Sequence, residues 1–137
     1  MTLNYWKHNH MVNVLNGNEF NHILWTGDIN SDFLRNTGHV NVVKQFVEEF
    51  SFQPAWTFFD IDFTNYLEVN GATFTSTIDH FFWNKELNDA ILDAGVIHHP
   101  DTLSDHCPIY CKINTAAIEE DPVTTQAESI PKPSWKK

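Results

Sequence analysis

"STIDHFFW" (residues 76–83) sets a carboxylate at the head of an aromatic run. Apolar residues fill both alternating faces of the stretch, the pattern of a strand covered from both sides. An acid inside such a strand is costly unless it is paired. Asp79 therefore needs a donor or cationic partner. An imidazole N–H is one candidate, and the backbone amides of a neighbouring loop are the plainer alternative.

"LSDHCPIY" (103–110) offers that imidazole. Asp105 and His106 sit side by side at the mouth of a strand expected over "HCPIYCKI". Neighbours in an extended chain point to opposite sides, so Asp105 can bind a cation while His106 turns toward Asp79. A carboxylate partner raises an imidazole pKa and fixes its tautomer, which favours a charged ring able to donate to a phosphate. The plainer reading is a loop acid beside an ordinary histidine. "WTGDIN" (25–30) supplies a third element. Gly27 permits a tight turn where a strand ends. Asp28 is a possible base and Asn30 an amide that can donate to a phosphate oxygen. The same residues also suit an Asx-turn closing a strand.

The spacing predicts an amphipathic helix over 3–15, stopped by "NGN", then a buried strand over "FNHILWTGD" and a polar loop over 29–38. Val43, Phe46, Val47 and Phe50 recur at three and four, so 39–50 is a second helix. From Ala55 to Trp83 the chain reads as strands, with "NGA" (70–72) a hairpin turn and "TSTIDHFFW" one continuous strand. Glu86–Ala94 reads as a short helix closed by Gly95, and "VIHH" as a short strand. The expected architecture is α/β, with one domain over 1–114 and a disordered linker over 115–137, rich in Pro, Thr, Ser and charge.

The 137 residues suit one domain, and 42% hydrophobic and 14% aromatic content allow a core. The 11 Phe and 5 Trp read as core rather than as base-stacking platforms. Net charge is −10, which counts against an autonomous nucleic-acid binder, since such affinity comes from neutralised phosphates. It leaves room for an enzyme whose carboxylates hold a cation that meets the phosphate. No run resembles a signal peptide or a membrane span, so an intracellular setting, nucleus or cytoplasm, is expected.

Gly-Asp-x-Asn, then Ser/Thr-x-Ile-Asp, then Ser-Asp-His-x-Pro, in this order, resembles the endonuclease/exonuclease/phosphatase superfamily of DNase I and the apurinic endonucleases. "HILWTGDINSDF", "TSTIDHFFWN" and "DAGVIHHPDTLSDHCPIYCKI" are similar to the endonuclease domains of non-LTR retrotransposon polyproteins, and "PKPSWKK" resembles the linker such chains carry before their reverse transcriptase. The likeness covers about residues 1–114 and matches the C-terminal half of that fold. It implies half of a DNase I-like four-layer α/β sandwich with a mixed, mainly antiparallel sheet, and hydrolysis of DNA phosphodiesters with Mg²⁺ or Mn²⁺. Carried over, Asp28 orients the attacking water, and Asn30 holds that water or a phosphate oxygen. Asp79 orients His106, His106 stabilises charge on the phosphorane, and Asp105 is associated with the metal. Ser104 supports the loop.

The Asn and Glu by which the family's first half holds its metal have no counterpart here, and Glu19 lies too close to the first strand to replace them. One or two acids bind Mg²⁺ poorly, so weak metal binding and feeble activity are expected of this chain alone. An exposed sheet face is expected where the family's other half would lie, and with it self-association. The rival readings are a non-catalytic interaction module or a decayed remnant of that fold, a phosphoinositide or sphingolipid phosphodiesterase, and a zinc site drawn from His98, His99, His106, Cys107 and Cys111.

Overall fold

A computed structural model describes Leu15 and residues 20–99 and 103–118. Its elements, in chain order, are β1 (Leu24–Asp28), α1 (Gly38–Glu49), β2 (Gln53–Pro54), β3 (Asn65–Val69), β4 (Ala72–Ser76), β5 (Asp79–Trp83), β6 (Ile91–Val96) and β7 (Ile109–Ile113). Short 3₁₀ turns lie at Ala55–Thr57, Lys85–Leu87 and Thr115–Ala117. The strands form a sheet in the order β1-β5-β2, a β3-β4 hairpin and a β6-β7 pair, every pairing antiparallel.

β5 is the strand around which the rest packs, and its side chains alternate between two cores. Phe81 and Trp83 face a cluster with Ala55, Leu87, Ala90, Ile91 and Ala94, to which β7 adds Ile109, Cys111 and Ile113. Phe82 faces the other way, onto Val43, Phe46 and Val47 of α1 and onto Phe52. β1 alternates with it, Leu24 joining the first cluster and Trp25 the second. Trp25 stacks on Phe82 at 4.8 Å between centroids and meets Phe46 edge-on at 5.2 Å, geometries that aromatic pairs prefer. The sheet thus has α1 on one face and the β6-β7 pair on the other. The expected bare face is absent from β5. Among the exposed apolar residues are Leu67, Val69 and Phe74 of the β3-β4 hairpin, with Leu34 and Leu103 elsewhere.

Helix α1 begins where Thr37 accepts the Val40 N–H on its hydroxyl, a standard N-cap. It ends where Ser51 turns left-handed (φ 54) and the Phe52 N–H reaches back to the Val47 carbonyl. At the β3-β4 turn, Asn70 (φ 51) and Gly71 (φ 77) both take the left-handed conformations of an Asn-Gly hairpin.

Several expectations fail. Residues 55–64 do not form a strand. Ala55 closes a turn by accepting from both Phe58 and Phe59 N–H, and the two aromatics pack singly against Trp83. "TSTIDHFFW" is two strands broken at Thr77–Ile78. Glu86–Ala94 is not a helix, because from Ile91 onward the backbone pairs with β7. A bulge between Ile91 and Asp93 turns both Ile91 and Ala94 inward, three apart, which imitates helical spacing. Gly95 ends no helix. It lies opposite Tyr110, whose ring covers it so closely that a Cβ there would stand 2.9 Å from ring atoms. The "VIHH" strand stops at Val96, and the last strand begins at Ile109 rather than His106. The helix expected over 3–15 lies outside the described residues except for Leu15, which packs on the second core. Of the expected linker, 119–137 lies outside them too.

Thr64 joins these parts. It is fully buried, and its hydroxyl accepts the N–H of both Ile78 and Asp79 at 3.0 Å. Its own N–H donates to Ser76 O at 3.0 Å, and its carbonyl accepts from Cys107 N–H at 2.7 Å. Thr64→Val keeps the shape and removes the acceptor. We expect a loss of about 1–3 kcal/mol for the orphaned amides, read from urea unfolding. An unchanged midpoint would mean that the hydroxyl does not hold this corner.

Candidate functional site

Register builds the site. In the β1-β5 pair, Asp28 lies directly opposite Asp79, so the two carboxylates share the end of the sheet. Like charges so placed repel, and a donor between them relieves the repulsion. His106 supplies it, its Nδ1 lying 2.9 Å from Asp79 Oδ2. One ligand atom from each of Asp28, Asp79 and His106 falls within 4.8 Å of the others, the only such His, Cys or acid group among the described residues. His98, His99, Cys107 and Cys111 do not join it, so no zinc cluster gathers there.

The loop carrying His106 is pinned at its base. Ser104 Oγ accepts the His106 N–H at 3.1 Å. The Asp105 carbonyl accepts from Tyr66 N–H at 2.9 Å and from the Asn65 side-chain amide at 3.1 Å. His106 also forms a lone bridge with Asn65. The Asp105 side chain is exposed and its carboxylate stands outside the group of three, although its charge still acts on His106. Asn30 follows the Gly27 turn (φ 134) in a left-handed conformation of its own (φ 53). Its N–H donates to Asp28 Oδ1 at 2.8 Å, which is an Asx-turn. That turn and a role at the site are compatible, because it fixes the Asp28 carboxylate.

Two histidines on this end of the molecule are pushed opposite ways. The hydrogen bond His106 donates to Asp79 leads in raising the His106 pKa above 6.5, with burial subtracting and the charges of Asp79, Asp28 and Asp105 adding. Since Nδ1 faces Asp79, Nε2 is the nitrogen left for a ligand. His80, next in the strand, is lowered by burial, against the upward pull of its bond to Ser31 and of the nearby acids. Nothing in the sequence singles out Thr64, His39 or Asn65. Only His80 carried a signal, a second polar residue in an otherwise apolar strand.

The carboxylates can hold a hard cation, within limits. One oxygen of each is already engaged, Asp28 by the Asn30 amide and Asp79 by His106. The remaining oxygens do not form a closed cage.

A titration of His106 tests the pairing. Its folded pKa is raised, so the imidazolium–carboxylate bond stabilises the fold fully below 6.5 and is lost as pH rises through the folded value. We expect an NMR midpoint for His106 above 6.5 that drops in Asp79→Asn. The stability gap between wild type and that variant should narrow as pH rises. A midpoint indifferent to Asp79→Asn contradicts the pair.

Comparison by sequence finds no matching protein family and no matching curated protein. Among solved structures, the fold is similar to an endonuclease/exonuclease/phosphatase family protein from Leptotrichia buccalis C-1013-b, with a TM-score of 0.56 and 21% identity. The match covers 78% of this chain and 41% of that one, so the chain spans less than half the length of the protein it resembles. Among the described residues no helix is long and apolar enough to cross a membrane. The mixed helix and antiparallel sheets of this chain are an α/β fold of the kind found in the endonuclease/exonuclease/phosphatase proteins.

Proposed function

We propose that Asp28, Asn30, Asp79 and His106 are the acid–imidazole part of a metal-assisted phosphodiesterase site, and that its substrate is DNA. The observation that carries this reading is the Asp79–His106 bond set directly beside Asp28. The charged His106 ring presents Nε2–H to a phosphate oxygen and stabilises the negative charge that develops there. Asp28, held by the Asn30 amide, orients a water and accepts its proton. The Asn30 side chain donates to the same water or to the phosphate. Such fixed donors lower a barrier because they need no reorganisation as charge forms.

A divalent cation, Mg²⁺ or Mn²⁺, would supply Lewis acidity at the phosphate. Asp28 and Asp79 are the residues that would hold it, with Asp105 close by as a further acid. The similarity of "TSTIDHFFWN" and its neighbours to retrotransposon endonucleases supports DNA over a lipid phosphodiester. At a net charge of −10, attraction to DNA must come from the cation and His106.

Supercoiled plasmid incubated with the purified chain and Mg²⁺ tests the reading. We expect slow nicking, stopped by a chelator and reduced roughly 100-fold or more by His106→Ala or Asp28→Asn, the scale of losing a charge-stabilising group. Nicking that survives both substitutions would discard this site. Robust nicking by the chain alone would show that cation binding needs no more oxygen ligands than these.

A further inference from the structure

The segment following Asp28 is gripped from within by two imidazoles. His39, in the first turn of α1, places Nε2 3.1 Å from the Ile29 carbonyl oxygen. His80, on β5, places Nε2 2.6 Å from the Ser31 carbonyl oxygen. A carbonyl only accepts, so each Nε2 carries the hydrogen. The opposite nitrogen, Nδ1, is buried without a partner in both rings. Ser31 and His80 are themselves 1% and 3% exposed. Phe33 and Trp56 meet the His80 ring edge-on, both at 5.1 Å, which fixes its rotation.

An unpaired buried nitrogen is a cost a fold avoids, and here it occurs twice around one short segment. A core histidine kept for packing alone could be apolar without that cost. What an apolar residue cannot do is donate. The two carbonyls flank Asn30, whose N–H holds the Asp28 carboxylate, and the Ile29 N–H is taken by the Ile78 carbonyl at 2.9 Å.

We propose that His39 and His80 are positioning residues. Their paired donation to the carbonyls on either side of Asn30 holds that residue left-handed and keeps Asp28 turned toward Asp79 and His106. Neither touches the reacting atoms. Their effect on catalysis rests on the phosphodiesterase reading above, whereas their effect on the segment does not.

The test uses the full chain with His39→Phe, His80→Phe and the corresponding Gln and Asn variants. Gln can place an amide N–H near the Nε2 position, and Asn is too short to do so. Long-range ¹H–¹⁵N spectra of the wild type should show the Nε2–H tautomer for both rings, and an Nδ1–H tautomer overturns the proposal. In the Phe and Asn variants, the Asn30 amide should shift and exchange faster while β5 amides keep their protection. The Gln variants should resemble wild type. If His80→Phe does not fold, Gln against Asn decides, and equal behaviour of the two overturns the proposal. An Asn30 amide unmoved in every variant also overturns it. Nicking, where the wild type shows it, should fall roughly 10- to 100-fold in Phe and Asn variants and recover in Gln. A wild type without nicking counts against the phosphodiesterase reading and leaves the amide readouts to judge the positioning role.

Discussion

The geometry of the site depends on one threonine. Asp79 leaves the β4–β5 corner and His106 rises from a loop twenty-seven positions later, and nothing in either local sequence makes them meet. Thr64 makes them meet. Its hydroxyl accepts the amides that open β5, and its carbonyl accepts the amide of Cys107, next to the imidazole. One buried residue therefore fixes the carboxylate end and the imidazole end in the same frame. A hydroxyl buried at that point has to find donors, because an unmet polar group in the interior is expensive. The same requirement that stabilises the corner helps set the distance between the Asp79 carboxylate and the His106 imidazole.

Electrostatics then sorts the two histidines of this region. His80 lies inside the aromatic cluster, where desolvation outweighs the nearby acids and keeps the ring neutral. His106 is about one-third exposed, and its bond to Asp79 outweighs the desolvation that pulls the other way. The neutral ring can only donate from one nitrogen and accept at the other, a role suited to holding backbone. His106, when protonated, donates from both nitrogens, a role suited to an anion. Their exposure, rather than their sequence context, separates the two.

Much of the site was legible because its residues break local rules. An acid heading an aromatic strand, a Gly-Asp strand end and an Asp-His pair each invited a partner, and those segments do converge at Asp28, Asp79 and His106. The register that sets Asp28 opposite Asp79 was not legible, since pairing is a property of two distant segments. The same limit hid Thr64 and Asn65, ordinary residues whose weight comes from what they contact. Ile91 and Ala94 misled for a different reason. A β-bulge gives a strand an interval of three, and periodicity alone cannot tell that from a helix. Residues 55–64 mislead because their aromatic content suggests a ladder, although aromatics can be buried one at a time from a loop.

The irregularities of the fold are unevenly spread, and that unevenness is informative. Among the described residues, three non-glycine residues have positive φ. Ser51 ends a helix and Asn70 turns a hairpin, both places where such a conformation is ordinary. Asn30 does neither, and it lies where Asp28 must be aimed. Of the three buried side-chain atoms without partners among the described residues, one is Gln53 Oε1, on the short strand beside β5. The other two belong to the rings that hold the carbonyls around Asn30. Folds retain strain and unmet polar atoms where something other than stability is being served. Here both costs concentrate on the few residues that orient one carboxylate toward one imidazole. That concentration around one short segment is the observation on which the proposed positioning role of His39 and His80 rests.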